Sequence, residues 1–221
     1  MPREQSRGVR TLESYVNITQ PHTNPADSDQ AGPTSSGMSA AATPPASGLL
    51  VLGGGCFWCL DAWYRTVRGV TGVESGYTGG HTAQPYYESV CSGTTGHAEA
   101  VAVAFDPTVI DEDTLLDMFF TMHDPTTLNR QGYDVGTQYR SALFPLDQDQ
   151  ATRMQAAIER NQGNWSQPIV TTIEDFSGWH PAEPEHQDFY AEHPEVGYCQ
   201  VIINPKLAKA RTQFATFQRS S

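Results

Sequence analysis

Lysine is nearly missing from this chain: Lys206 and Lys209 are the only two among 221 residues. With 13 basic against 25 acidic side chains the formal net charge is −12, and it arises from scarce lysine more than from surplus carboxylate. A chain so poor in cations lacks the basic footprint that a phosphate backbone requires, which argues against a nucleic-acid binder. It equally lacks the cationic face that docks on anionic lipid. Long apolar runs are missing too; none approaches the ~20 residues of a membrane span. Cysteine is sparse. Cys56, Cys59, Cys91 and Cys199 are too few for a disulfide scaffold at this length. What remains is 38% hydrophobic residues and 10% aromatics, enough to build a real core.

Residues 1–48 differ from the rest. From His22 to Ser47 almost everything is Pro, Ser, Thr, Ala, Gly, Asn or Asp. Such a stretch buries too little to offset its ordering entropy, so a disordered tail is expected. Arg3, Arg7 and Arg10 are not followed by an apolar signal core. A cytoplasmic protein is therefore expected, with an organelle transit role for the tail left open.

The run Leu49 to Leu52 followed by Gly53-Gly54-Gly55 predicts a buried strand entering a tight turn. A helix is expected from Cys56 through Val67, with Gly69 ending it. Strands are predicted at Val73–Tyr77, at Ala100–Phe105, at Tyr139–Phe144 and at Ile169–Phe176. Helices are predicted over Asp111–Met122 and Asp147–Asn161. The last 45 residues, without clear periodicity, are read as loops and short helices. This order predicts an α+β fold: a two-layer sandwich with a mixed sheet, a ferredoxin-like β-α-β-β-α-β core and a long irregular C-terminal segment.

Chemistry concentrates in Gly53-Gly54-Gly55-Cys56-Phe57-Trp58-Cys59. Three glycines let the backbone turn sharply. Cys56 then falls in the first helical turn, where free N–H groups and the helix dipole are expected to lower a thiol pKa. Cys59 follows one turn later on the same side, with the Cα atoms about 5–6 Å apart, inside disulfide range. Phe57 and Trp58 suggest an apolar pocket wall. The same residues also fit two small core cysteines, a zinc half-site without a second half, or a thioredoxin-like disulfide oxidoreductase. His97, His180 and His186 have no spacing that suits a metal, and none is expected.

Taken together, several motifs resemble the A-type methionine sulfoxide reductases, the peptide-methionine (S)-S-oxide reductases. They are Gly55-Cys56-Phe57-Trp58, Gly76-Tyr77-Thr78-Gly79-Gly80, Tyr87-Glu88-Ser89-Val90-Cys91-Ser92-Gly93 and Thr95-Gly96-His97-Ala98-Glu99, then Asp134 through Ser141 and Gly197-Tyr198-Cys199. They run in the family's order over about residues 49–205, so 49–221 is expected to be the catalytic domain.

The resemblance implies roles. Cys56 is the nucleophile and becomes a sulfenic acid. Glu99 supplies the proton that the sulfoxide oxygen needs, with a pKa raised by partial burial. Tyr87 and Tyr139 hydrogen-bond that oxygen. Phe57 and Trp58 hold the methyl group, and Asp134 orders the substrate. Many members carry glycine where this chain has Cys59. Cys59 therefore resembles a resolving thiol, while Cys199 occupies the place where other members put one, and the choice stays open between them. Cys91 is expected to be a buried small residue without a catalytic role. The implied partners are oxidised proteins or free methionine sulfoxide as substrate and thioredoxin as reductant, with dithiothreitol replacing it in vitro. No bound cofactor, nucleic acid or membrane is implied, and the chain is expected to act as a monomer.

Overall fold

The structure is a computed structural model, and it describes residues 47–219. The expected disordered tail lies outside the described residues except for Ser47 and Gly48. Six strands form the main sheet: β1 (Gly48–Gly54), β2 (Val70–Thr78), β3 (Ala98–Phe105), β6 (Ser141–Leu143), β7 (Thr172–Ile173) and β8 (His180–Pro181). A separate hairpin pairs β4 (Arg130–Gln131) with β5 (Asp134–Val135). The helices are α1 (Phe57–Tyr64), α2 (Tyr87–Cys91), α3 (Glu112–Met122), α4 (Gln148–Gln162), α5 (Phe189–Glu192) and α6 (Asn204–Gln213).

Strand order is β7-β6-β1-β3-β2-β8. Pairs β6·β1, β1·β3, β3·β2 and β2·β8 are antiparallel and β6·β7 is parallel, so the sheet is mixed as expected. Its four inner strands realise the predicted split core. β3 lies between β1 and β2, which α1 joins; β1 lies between β3 and β6, which α3 joins.

Strand alternation decides the two faces. Leu50 and Leu52 of β1 and Val101, Val103 and Phe105 of β3 belong to one core with Leu60 and Trp63 of α1, Leu115 and Phe119 of α3, and Leu207 of α6. Helices therefore form one layer and the sheet the other. The alternate residues of β3 are Ala98, Ala100, Ala102 and Ala104, all buried on the second face. The small face accepts close neighbours. A Cβ on Gly76 would stand 2.5 Å from both the Trp179 ring and the His180 carbonyl. Thr78 Oγ1 donates to the Gly178 carbonyl at 2.6 Å and Trp179 Nε1 donates to Glu74 at 2.7 Å, holding this strap down.

Helix starts follow sequence chemistry. Asp111 accepts from the Thr114 N–H at 2.6 Å and Asp147 from the Gln150 N–H at 2.7 Å, each capping its helix as the predicted boundaries require. Other boundaries differ. α1 stops at Tyr64 rather than Val67, because the chain must turn back through Gly69, whose φ of +92° leads into β2. Expected strands at 139–144 and 169–176 shrink to β6 and β7, since Thr137–Tyr139 coils as a 3₁₀ turn and only Thr172–Ile173 pairs. The hairpin β4·β5 and helix α2 lack the length that periodicity needs, and α6 is longer than the short helices expected.

One position should show how tightly the turn before α1 is specified. Gly55 has φ +86°, and a Cβ there would meet Gln131 side-chain carbons at 2.5 and 2.6 Å. Gly55→Ala is expected to cost about 1–3 kcal/mol in urea denaturation. Gly163→Ala is expected to be neutral or slightly stabilising, because its φ is −63° and nothing lies within 4 Å. Equal effects at the two sites would contradict this account of the turn.

Candidate active site

β1 delivers the chain to Gly55, and the turn leaves Cys56 as the N-cap of α1 with φ −55° and ψ 122°. The Cys59 N–H donates to the Cys56 carbonyl at 3.2 Å, so the two cysteines bracket the first turn. From the neighbouring strand β3, Glu99 projects from the helix-covered face. Its Oε2 accepts the Phe57 N–H at 3.1 Å. That bond ties the acid to the residue next to Cys56. Glu99 is only 1% exposed and Cys56 7%.

Around this pair the other side chains arrive from separate elements. Tyr77 of β2 stands opposite Glu99 in register. Its hydroxyl donates to Glu183 at 2.8 Å, and the other oxygen of Glu183 accepts the Tyr87 N–H at 2.8 Å, fixing the start of α2. Tyr139 closes the 3₁₀ turn before β6. Both Tyr87 and Tyr139 are half-buried and lie within the field of Glu99. Asp134, on β5, accepts the Tyr198 hydroxyl at 2.7 Å. The Tyr198 hydroxyl also lies in hydrogen-bond reach of both Cys56 and Cys59. Beside them is a cavity of about 320 Å³ lined by Gln131, Tyr133, Asp134, Tyr198 and Lys206, among others.

Burial governs the protonation states. Burial, against the pull of the Phe57 N–H, raises Glu99 from 4.5 to about 8, with Asp134 adding to the rise. The acid therefore holds its proton at neutral pH. Cys56 departs from expectation. Its pKa is raised, not lowered: burial is the main cause, followed by the Glu99 and Cys59 charges. The Tyr198 hydroxyl and the Trp58 N–H oppose this. The helix start does supply a donor, but a buried sulfur beside a carboxyl outweighs it. When Glu99 carries its proton, its share of that penalty disappears. Tyr87 and Tyr139 are pushed up by burial, then by Cys91 and Glu99, which keeps both phenols as donors.

Aromatic packing also corrects the expected pocket wall. The Phe57 ring is wholly buried, against Tyr77 at 5.9 Å, Tyr87 at 6.5 Å and His186 at 5.8 Å. Only Trp58 is partly open; it stacks on Phe189 at 3.8 Å and meets Tyr198 edge-on at 5.8 Å. His186 packs 4.1 Å from Tyr87. Cys199 lies in the core at the start of the π-helical turn Cys199–Ile203. Its pKa is raised by burial and by Glu195, whereas Cys59 answers to burial, Lys206, Asp134 and Tyr198.

Three further groups stand at the site that residue reading passed over. Tyr198 stands within the motif Gly197-Tyr198-Cys199 with nothing local to single it out, and Glu183 carries no local signal. Lys206 places Nζ 3.6 Å from Cys59 Sγ. Cys91, expected to be a buried small residue without a catalytic role, is instead half-exposed, and its thiol lies in hydrogen-bond reach of Tyr87 and Tyr139. Its place at the end of the five-residue α2 accounts for this. Among the described residues no group of three His, Cys, Asp or Glu is disposed to hold a metal. No helix among them is long and apolar enough to cross a membrane.

A neutral acid inside a fold leaves a thermodynamic trace. Below the ordinary carboxylate pKa both folded and unfolded chains hold the Glu99 proton, and burial of the carboxyl goes unpenalised. Between 4.5 and about 8 the unfolded chain ionises while the fold does not, so stability falls with rising pH. Glu99→Gln removes that loss. Its advantage over the wild type in urea denaturation is expected to grow by about 3 kcal/mol from pH 5 to pH 7.5. A difference that stays constant with pH contradicts a neutral, buried Glu99.

The profile of the family described as peptide methionine sulfoxide reductase matches residues 49–218. The peptide methionine sulfoxide reductase MsrA of Pseudarthrobacter chlorophenolicus is 63% identical over 167 residues, covering 76% of this chain and 96% of that protein. The MsrA of Chromobacterium violaceum is 53% identical over 168 residues, covering 75% and 95%. Among solved structures, reduced Mxr1 of Saccharomyces cerevisiae superposes with a TM-score of 0.67 at 34% identity, covering 71% of this chain and 91% of that one. Methionine sulfoxide reductase A of Corynebacterium diphtheriae gives 0.65 at 34% identity, covering 72% and 80%.

Proposed function

The chain belongs to the peptide methionine sulfoxide reductase family, and we propose that residues 49–221 reduce the S epimer of methionine sulfoxide, peptide-bound or free, through Cys56. The observation that carries this reading is the buried, neutral Glu99 bonded to the N–H beside Cys56. The Cys56 sulfur attacks the sulfoxide sulfur, and the oxygen takes up the Glu99 proton as its charge develops. Tyr87 and Tyr139 donate to the same oxygen. In the net exchange one oxygen passes from substrate sulfur to Cys56 sulfur. The substrate becomes a thioether, gaining two electrons, and the thiol becomes a sulfenic acid, losing two.

Trp58 holds the methyl group, with Phe57 supporting it from behind. Asp134 orders the site through Tyr198. A second thiol then condenses with the sulfenic acid and expels water. Cys59, one helical turn away, is the nearer candidate by chain geometry, and Cys199 serves as a second relay. A thioredoxin-type dithiol returns the disulfide to thiols by exchange, and dithiothreitol replaces it in vitro. A cycle that consumes a dithiol suits a reducing compartment such as the cytoplasm. Family membership displaces the rival reading as a general disulfide oxidoreductase.

Turnover of each sulfoxide epimer with dithiothreitol tests the reading. Wild type is expected to reduce the S epimer and spare the R. Cys56→Ser should be inactive, and Glu99→Gln slower by about 10²–10⁴-fold. Cys199→Ser should still release one methionine per enzyme in the first turnover. Full activity in Cys56→Ser would falsify the mechanism.

A further inference from the structure

We propose that Lys206 is the group that makes Cys59 the attacking thiol of the resolving step. This rests on the reductase reading above and adds a residue that reading does not use. Lys206 comes from α6 and Cys59 from α1, 147 positions apart in sequence, yet Nζ approaches Sγ to 3.6 Å. Cys59 is 1% exposed. Burial, with the like charge of Asp134, pushes this thiol up, and it stays above its ordinary value even with Lys206 beside it; without Lys206 it would be higher still and slower to attack. The groups facing Cys59 are Lys206 from α6, Asp134 from β5, the Tyr198 hydroxyl and Cys56. Lys206 is the cation in that set, and it acts through both its charge and its hydrogen bond. Its field also reaches His123, which burial keeps neutral with a pKa lowered to about 4.

Lysine scarcity sharpens the assignment. Of the two lysines in the chain, Lys209 sits over the Trp165 ring at 5.8 Å, on the outer side of the same helix. Lys206 is half-buried and also lines the cavity beside Asp134 and Tyr198. Among the described residues no cation figures in the electrostatics of Cys199; burial and Glu195 both raise it.

The step balances without an added oxidant. The Cys59 thiolate gives an electron pair to Cys56 Sγ, the S–O bond of the sulfenic acid breaks, and its pair leaves on oxygen. The proton that Cys59 lost completes a water molecule. Cys59 sulfur is oxidised by one electron and Cys56 sulfur reduced by one, which closes the disulfide. Lys206 stabilises the thiolate before attack.

A single-turnover experiment tests this on the full chain in a Cys199→Ser background. S-epimer methionine sulfoxide is mixed with reduced enzyme without reductant. Released methionine and remaining sulfenic acid are followed in the same samples from pH 6 to pH 9. Lys206→Met is expected to slow loss of the sulfenic acid, relative to the methionine burst, at least tenfold at neutral pH. The midpoint of that step should move up by about one unit, the equivalent of a tenfold loss. Lys206→Arg should recover most of the rate, and Lys209→Met should match wild type. If Lys206→Met loses its circular-dichroism signature, Lys206→Gln replaces it. An unchanged resolution rate and pH profile in the folded variant overturns the proposal. So does a disulfide map of the wild type with Cys56 joined to Cys199 and none to Cys59. A wild type that releases no methionine overturns the reductase reading itself, and this role with it.

Discussion

The hydrogen bond from the Phe57 N–H to the Glu99 carboxyl joins the start of α1 to the middle of the sheet, and much else depends on it. A helix start has N–H groups that the helix itself cannot satisfy. A buried carboxyl needs a donor or a proton. Each answers the other's need here. The bond holds the acid under the turn that carries Cys56, and it does so without an ion pair. A lysine or arginine at the same place would hold Glu99 ionised and leave no proton to give.

Desolvation sets the rest of the chemistry. Burial raises Glu99, Cys56, Tyr87 and Tyr139 together, so the resting site carries its protons rather than its charges. A thiol nucleophile beside a carboxylate would be a poor arrangement; beside a carboxylic acid it is a workable one. The penalty falls on stability, since the fold keeps a neutral acid where water would ionise it. Positive charge is kept away from Glu99 and brought to Cys59, one helical turn on. The scarcity of lysine is thus not merely a surface property. One of the two lysines faces inward, onto a sulfur.

Much of the frame was legible beforehand. Asp111 and Asp147 announced their helices because a capping carboxylate acts within one turn. The run Ala100 to Phe105 announced a central strand because burial on both faces leaves no polar alternation; the strand itself begins two residues earlier, at Ala98. Gly55 announced the turn into α1. The two-residue strands of the hairpin did not show, since so short a segment has no measurable period. The strand expected over 169–176 failed for a related reason. Apolar content was present, but pairing depends on what β6 offers, and β6 is three residues long.

Local chemistry marked Cys56 and Cys59; Glu99, Tyr87, Tyr139 and Asp134 were marked only by motifs that resemble a family, and the order of those motifs gave the set a reaction. Those are statements about residue type and spacing, which the chain carries in itself. The sign of the Cys56 shift was not among them. A helix start lowers a thiol pKa, burial raises it, and only the depth of the site decides which prevails. The same holds for Tyr198 and Lys206, whose contacts with the cysteine pair cross from the last helical segment to the first. Such contacts leave no local pattern, because electrostatic partners are chosen by distance in space. Sequence determined which groups could react; tertiary packing decided which of them hold protons and which thiol has a cation beside it.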